Sequence, residues 1–210
     1  MCSPRIPEPA LPERHCRRVA AALLLLALAG CATQRGVGLP DLPDWEARRD
    51  TLTAISEWEF QGRIGVSAGE DGFNGKLRWW QHDDVFMASV SGPLGVGTVK
   101  IQGDDRQVAV TDEDGEVTEM QDAESELYRR YGWTIPVTSL RYWALGIPDP
   151  SSPAETAFDG QGHLTRLEQR NWVVQIDEYR DGGGQQMPRR MSATHRDTRV
   201  RLVIDTWVFY

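Results

Sequence analysis

The sequence predicts a mainly β fold in which helices cover one side of a curved antiparallel sheet. Apolar and polar residues alternate over many short segments separated by turns rich in Gly and Asp, which is typical of sandwiches and barrels. Two helical segments interrupt this run of strands. Helices placed between strands of one sheet are expected to pack as a lid on its concave side.

Residues 1–30 have the pattern of a secretory signal peptide. Residues 19–30, VAAALLLLALAG, carry no charge and follow the basic pair Arg17 and Arg18. A membrane-spanning helix needs about 20 apolar residues, so this run is too short to be a permanent anchor. We expect residues 1–30 to be absent from the mature protein.

The end of this segment, Leu28-Ala29-Gly30-Cys31, resembles the lipobox of bacterial lipoproteins. The Cys31 thiolate would act as the nucleophile that accepts diacylglycerol, and the small residues before it leave room for a peptidase. The alternative is a small buried cysteine beside an ordinary cleavage site. We expect Cys31 to be lipidated. Ala32 and Thr33 provide no acidic retention signal, which favours the outer membrane, with the domain facing the periplasm.

Composition excludes several functions for the mature chain. Without residues 1–30, 19 basic and 29 acidic residues remain, a net charge of −10. Nucleic acid is not an expected partner, because its binding depends on basic contacts to phosphates. Cys31 would be the only cysteine left, so neither an internal disulfide nor a cysteine-based metal site is expected.

The mature chain is expected to begin with a tether. Residues 31–44 include the lipid-bearing Cys31 and the segment ATQRGVGLPDLPD, which is rich in Gly and Pro and typical of a flexible linker. At about 3.3 Å per residue, thirteen residues reach about 40 Å. One folded domain is expected over residues 45–210.

The domain opens with a predicted helix and a strand. Asp44 offers an N-cap, and Trp45, Leu52 and Ile55 recur at helical spacing. From Trp58 the period becomes two, which predicts a half-buried antiparallel strand. Its apolar face would carry Trp58, Phe60, Gly62, Ile64 and Val66, and its polar face Glu59, Gln61, Arg63 and Ser67.

Further strands and two more helices follow. Strands are predicted over residues 73–81, 85–91, 96–102, 107–111, 116–120, 163–169, 172–179, 189–195 and 200–209. The helices are predicted over residues 122–133, capped by Asp122 and stopped by Gly132, and over residues 136–146, begun by Pro136 and ended by Gly146.

Candidate chemistry is sparse. The histidines are isolated, none has metal-ligand spacing, and no P-loop, dinucleotide fingerprint or nucleophile elbow occurs. The carboxylates cluster in turns and on polar strand faces. We therefore expect no catalytic residue, no metal, no cofactor and no enzymatic activity.

Tryptophan is more informative than any charged residue. The mature chain holds eight, at positions 45, 58, 79, 80, 133, 143, 172 and 207. Each indole brings a large apolar area and an N–H that needs a partner. A core built around tryptophan explains them singly, and together they could also line an apolar cavity between a sheet and its helices.

The turn from Ser91 to Gly97 holds one large aliphatic residue, Leu94, between Pro93 and Gly95. Turn tips are usually polar. Leu94 is either tucked back into the core or presented to an apolar partner, and the residues alone leave both possibilities open.

A set of motifs in fixed order resembles one family over nearly all of the mature chain, the outer-membrane lipoprotein receptor LolB. The motifs are Gly62-Arg63, Trp79 with Gln81, Ser91-Gly92-Pro93-Leu94-Gly95, Gly132-Trp133, Pro136-Val137, Leu140 with Tyr142-Trp143, Gly146, Gln169, Trp172 and Tyr179. Any one motif is weak, but their order and spacing, together with the lipobox, are specific.

The resemblance implies an incomplete, half-open antiparallel β-barrel with a helical lid over a hydrophobic cavity, similar in fold to the periplasmic carrier LolA. It implies a monomer that takes acylated lipoproteins from LolA, holds their acyl chains and inserts them into outer-membrane lipid. It also implies that Leu94, between Pro93 and Gly95, protrudes and assists insertion.

Alternation along the strands then selects the candidate cavity residues. They are Trp58, Phe60, Ile64, Val66, Leu77 and Trp79 on the strands and Leu140 and Trp143 on the lid helix. A structural or assembly lipoprotein would instead have a filled β-rich core without acyl binding. A carrier of the LolA kind should lack Cys31 as a lipid site.

Overall fold

The computed structural model describes residues 36–92, 97–104, 106–121, 124–125, 128–129 and 136–210. The helices are α1 (Trp45–Ala54) and α2 (Val137–Leu145). The strands are β1 (Glu57–Ala68), β2 (Asp71–His82), β3 (Val85–Ser91), β4 (Thr98–Gly103), β5 (Val108–Thr111), β6 (Val117–Met120), β7 (Ala154–Phe158), β8 (Leu164–Gln169), β9 (Trp172–Gly182), β10 (Gln185–His195) and β11 (Thr198–Phe209). Glu124, Ser125, Tyr128 and Arg129 are also helical, within the predicted helix 122–133.

The eleven strands form one antiparallel sheet. Their order is β6-β5-β4-β3-β2-β1-β11-β10-β9-β8-β7, so the first and last strands of the chain are neighbours at its centre. The strands β6 and β7 are the two edges and do not pair with each other. The sheet is therefore not closed into a barrel, which confirms the predicted half-open antiparallel architecture.

The first strand separates the two faces of the sheet as its alternation predicts. Trp58, Phe60, Ile64 and Val66 are buried on what we call the inner face, while Glu59, Gln61, Arg63 and Gly65, which alternate with the inner residues, are more exposed on the outer face. The register between β1 and β11 shifts after Gln61. A Cβ at the next residue, Gly62, would lie 2.2 Å from the carbonyl oxygen of Val203. Only glycine fits this approach.

Local signals explain both helices. The Asp44 carboxylate accepts a hydrogen bond from the Ala47 amide at 2.8 Å and caps α1 as predicted. Gly146 ends α2 with a positive φ of 77°. Seven of the nine α2 residues are buried, so this helix is enclosed by its surroundings. None of the helices in the described part of the chain has the length and apolarity to cross a membrane.

One strand was not predicted. The segment of β7, AETAF, has a single large apolar residue and is mostly exposed. An edge strand with water on both sides needs no alternation, so the sequence carries no signal for it.

The start of the domain also differs from expectation. The Val37 amide donates to the carbonyl of Phe209 at 2.7 Å, and the Leu39 amide donates to that of Gly183 at 2.8 Å. The folded unit begins at Gly36, so the prediction of a free tether is wrong for residues 37–39. Cys31 and the predicted signal peptide lie outside the described residues.

Candidate functional site

An aromatic cluster occupies the inner face of the first three strands. The Trp58 ring lies parallel to that of Trp79 at 6.4 Å between centroids, and Trp79 in turn stacks on Phe86 at 5.0 Å. Phe60 stacks on Trp79 at 6.2 Å and meets Trp207 of β11 at 5.2 Å. Aromatic faces from four strands thus form one continuous apolar surface.

The indole N–H of Trp79 is satisfied within its own strand. It donates to Gln81 Oε1 at 3.1 Å, and Gln81 Nε2 donates to the carbonyl of Asp83 at 2.7 Å. Residues two apart on a strand share a face, so Gln81 is brought beside Trp79 by the alternation itself. The pair fixes the ring and the turn that leads to β3.

A second aromatic pair joins the lid helix to the sheet. Trp143 of α2 is fully buried and meets Trp172 of β9 at 6.2 Å. Its indole N–H donates to Gln169 Oε1 at 2.9 Å, across 26 residues of chain. Leu140, on the preceding turn of the same helix, is also buried.

Gln169 is the centre of a buried polar network under the lid. Its Oε1 also accepts from the Asp149 amide at 2.9 Å, and its Nε2 donates to the carbonyls of Asp149 at 2.8 Å and Ser152 at 2.7 Å. All four hydrogen-bonding positions of the amide are used. The loop after α2 is thereby fastened to β8.

Asp149 completes the network as a buried carboxylate. It accepts from the Ser139 hydroxyl at 2.7 Å and the Ser151 amide at 2.8 Å, and lies 3.6 Å from the Arg170 guanidinium. Burial alone would raise the pKa of this carboxyl. The hydrogen bonds from Ser151 and Ser139, with the charge of Arg170, outweigh burial and hold the pKa below its usual value.

The structure places all eight predicted cavity residues in the interior. Trp58, Phe60, Ile64, Val66, Leu77, Trp79, Leu140 and Trp143 are each at most 5% exposed. Three of them belong to the first aromatic cluster and one to the second. Such burial agrees both with residues that line a closed cavity and with a packed core, so their role toward acyl chains stays a prediction.

Two clefts open beside the lid helix. The larger, about 880 Å³, has a charged rim that includes Asp104, Arg106 and Arg170. The smaller, about 470 Å³, is lined by Trp58, Gln81 and other residues. Trp58 is the only one of the eight predicted residues that lines either of these clefts. It marks where solvent approaches the first aromatic cluster.

Comparison with known proteins identifies the family. The family model for the outer membrane lipoprotein LolB matches residues 56–207. The chain belongs to the LolB family. The outer-membrane lipoprotein LolB of Cellvibrio japonicus is 33% identical over 192 residues, which cover 89% of this chain and 94% of the relative. That of Pseudomonas fluorescens Pf-5 is 34% identical over 187 residues, covering 86% and 90%.

Solved structures support the fold of this LolB-family chain. A LolA superfamily protein from Nitrosomonas europaea aligns with a TM-score of 0.51 at 7% identity, covering 78% of this chain and 90% of that one. A DUF1329 family protein from Desulfovibrio piger also gives a TM-score of 0.51, at 6% identity, with coverage of 77% and 89%. At these identities the likeness concerns the fold alone.

Some site residues of this LolB-family chain were not predicted as such. Phe86 and Trp207 extend the first aromatic cluster, and Asp149 with Gln169 holds the lid. Alternation around β3 and β11 could have supplied the two aromatics. The polar network could not have been found, because the bonds that join its helix, loop and strand connect residues 10 to 26 positions apart.

The LolB-family loop with Leu94 is described only at its base. Pro93, Leu94 and Gly95 lie outside the described residues. At the base, the Gly92 amide donates to the Gly97 carbonyl at 3.3 Å. The hydroxyls of Ser91 and Thr98 share a hydrogen bond at 3.0 Å. The role of Leu94 stays a prediction.

Proposed function

We propose that this LolB-family chain accepts acylated lipoproteins from the periplasmic carrier LolA, shelters their acyl chains against the inner face and inserts them into the outer membrane. It would act there as a monomer anchored by lipid on Cys31. One observation carries the proposal: a continuous aromatic surface lies on an open sheet beneath a buried helix. The chain that has this arrangement belongs to the LolB family.

The chemistry of the cargo explains why shelter is needed. Three acyl chains of about 15 methylenes each, at about 0.8 kcal/mol per methylene, would cost roughly 36 kcal/mol in water. A receptor must therefore take the chains directly from a carrier. A tenfold rise in affinity at each step requires only about 1.4 kcal/mol, so no nucleotide is needed.

Acyl chains can reach the inner face only if the lid moves, because the candidate residues are at most 5% exposed. Movement of α2 would break the hydrogen bond between Trp143 and Gln169 and separate Trp143 from Trp172. The same burial favours the second candidate function, a structural or assembly lipoprotein with a permanently filled core. The two differ in whether the lid opens for a ligand.

Binding of a fatty-acyl fluorophore distinguishes these functions. We expect the mature chain with Cys31→Ser to bind one fluorophore. Ile64→Asp places a charge on the inner face and should weaken binding by several kcal/mol, since the charge would be desolvated. Replacing Trp143 with a charged residue should also weaken fluorophore binding.

Gly65→Asp is the matched control, because a Cβ at the adjacent Gly65 meets no atom within 4 Å. It should bind like the parent chain. Circular dichroism must show that each variant is folded. Equal affinity of folded Ile64→Asp and Gly65→Asp would contradict the assignment, and a parent chain without any fluorophore binding would favour the filled core.

Release into membrane is a separate step that we assign to Leu94. Burying one leucine contributes about 1.5 to 3 kcal/mol, enough to bias orientation at a membrane but too little to anchor the domain. Leu94→Glu should fold and accept lipoprotein from LolA, but should fail to deliver it to vesicles. Loss of folding would assign Leu94 to the core, and loss of acceptance alone would assign it to the LolA interface.

A further inference from the structure

Basic side chains concentrate on the outer face of a chain that is otherwise acidic. On four strands of this face lie six exposed cations: Arg63 on β1, Lys76 and Arg78 on β2, Lys100 on β4, and Arg199 and Arg201 on β11. The mature chain has a net charge of −10. A positive cluster on a negatively charged chain is not explained by composition.

The strand register shows that these six residues, which we call the basic band, are close together. Arg63 is opposite Lys76, and Arg78 is joined through Ser89 to Lys100. Gly65 and Ser67 are opposite Arg201 and Arg199. With strands about 4.8 Å apart and about 3.3 Å per residue, the band covers about 20 Å in each direction.

Little negative charge offsets the basic band. Arg63 pairs with Asp205 at 3.1 Å, on the exposed surface. None of the other five cations forms an ion pair with a residue that the structure describes. The band therefore presents an unbalanced positive potential to whatever faces it.

Apolar side chains border the band at one end. In the next row of the outer face, Val208 is followed across the strands by Glu59, Trp80 and Met87. Met87 is 48% exposed, and the neighbouring Val85 and Tyr210 are 48% and 43% exposed. Aromatic and aliphatic groups beside basic ones are typical of surfaces that meet a membrane interface.

Gly36, where the folded unit begins, lies beside Val208 of this apolar row. A Cβ on Gly36 would lie 2.7 Å from Val208 Cγ1, and the Val37 amide donates to Phe209. Cys31 precedes Gly36 by five residues, which span at most about 17 Å. A lipid on Cys31 would keep the bilayer within that reach of the apolar row.

We propose that the outer face formed by β11, β1, β2, β3 and β4 is a membrane-contact surface whose basic band binds the phosphates of anionic lipid headgroups. The inference rests on the proposed lipid anchor at Cys31. Each cation near an anionic membrane contributes about fivefold to binding, so loss of three should weaken it about a hundredfold. Salt should weaken it further, because exposed charges are screened.

Vesicle flotation tests the surface. The probe is the mature chain with Cys31→Ser, mixed with vesicles of phosphatidylcholine alone or with phosphatidylglycerol. We expect binding to the anionic vesicles only, reduced about a hundredfold or more by K76E/R78E/K100E. The matched control R166E/R180E/R196E changes the same total charge at exposed arginines outside the band and should bind like the parent.

Equal binding by the two triple variants, or equal binding to neutral and anionic vesicles, would overturn the proposal. It is also overturned if K76E/R78E/K100E keeps vesicle binding but no longer accepts cargo from LolA, since the band would then dock a protein. Fluorophore affinity separates the membrane-contact proposal from the proposed function, because K76E/R78E/K100E should bind the fluorophore as tightly as the parent chain does. A parent chain that binds vesicles but no fluorophore would refute acyl binding alone.

Discussion

The described part of the chain contains two buried tryptophan–glutamine pairs that differ in what they connect. Trp79 and Gln81 both belong to β2, and Gln81 makes two hydrogen bonds, to the indole and to the nearby Asp83 carbonyl. Trp143 belongs to α2 and Gln169 to β8, and Gln169 makes four. The same two residue types thus close a local turn in one place and join a helix, a loop and a strand in the other.

The difference concerns which hydrogen bonds the proposed opening of the lid would break. The bonds of Gln81 lie within one hairpin and are kept whenever β2 and β3 stay paired. Those of Gln169 cross from the sheet to the lid and its following loop, so part of them must break when α2 moves. In the proposed function, the second pair would therefore set the free energy of lid opening, whereas the first would keep the surface beneath the lid rigid.

The largest effect should come from Gln169→Leu. It leaves the Trp143 and Asp149 N–H groups and two carbonyls without partners in a buried site, at about 1 to 3 kcal/mol each when no water reaches them. For four such groups we expect a loss of about 4 kcal/mol or more in the free energy of unfolding, measured by urea denaturation. The released lid should also raise the on-rate of the fatty-acyl fluorophore.

Gln161→Leu, at an exposed position, is the control for the amide itself and should leave stability within about 0.5 kcal/mol of the parent. If Gln169→Leu is as stable as Gln161→Leu, the lid is not held by this network.

A smaller effect is expected for Gln81→Leu. The Trp79 N–H would lose its partner in the core, but the turn around Asp83 is exposed and its carbonyl can bind water. We expect a loss of about 1 to 2 kcal/mol and an unchanged fluorophore on-rate. A rise in on-rate equal to that of Gln169→Leu would remove the distinction between the two pairs.

The smallest effect is the pH dependence of the lid network. Because the pKa of Asp149 is lowered in the folded state, its contribution is present above its unfolded pKa of about 3.9 and is lost as pH falls through the folded value. Asp149→Asn should lose about 1 kcal/mol at pH 7. The difference in free energy of unfolding between Asp149→Asn and the parent chain should shrink as the pH falls below about 4. Urea titrations at several pH values measure this difference. A gap that is constant with pH would exclude the charge as its cause.

The sequence predicts the strands and faces well where one side is buried. Alternation assigns Trp58, Phe60, Ile64 and Val66 to the inner face, and Gly146 marks the end of α2, as the structure confirms. Both signals are local. The strand β7 lacks such a signal because it is exposed, and the docking of Val37 and Leu39 depends on partners at the far end of the chain.

The candidate site is predictable only in part for the same reason. Alternation states which side chains face inward, but whether that face encloses a cavity depends on how closely α2 packs. The hydrogen bond between Trp143 and Gln169 forms because β8 lies below α2. No spacing of residues in the sequence predicts that placement. The basic band is equally hidden, since its cations come from four strands and meet only through the register.

The unpaired edges of the sheet have a mechanical consequence. Because no ladder of hydrogen bonds joins β6 to β7, the twist between neighbouring strands can change by a few degrees without breaking a bond. Natural sheets tolerate a wide range of such angles, and small rotations at ten successive strand pairs add together. The radius of a closed barrel is fixed by the pairing of its edge strands. The curvature of this sheet can change because its edges are unpaired. In the proposed function, the stiffness of this sheet would then set which lengths of acyl chain fit against it, in place of a preformed volume.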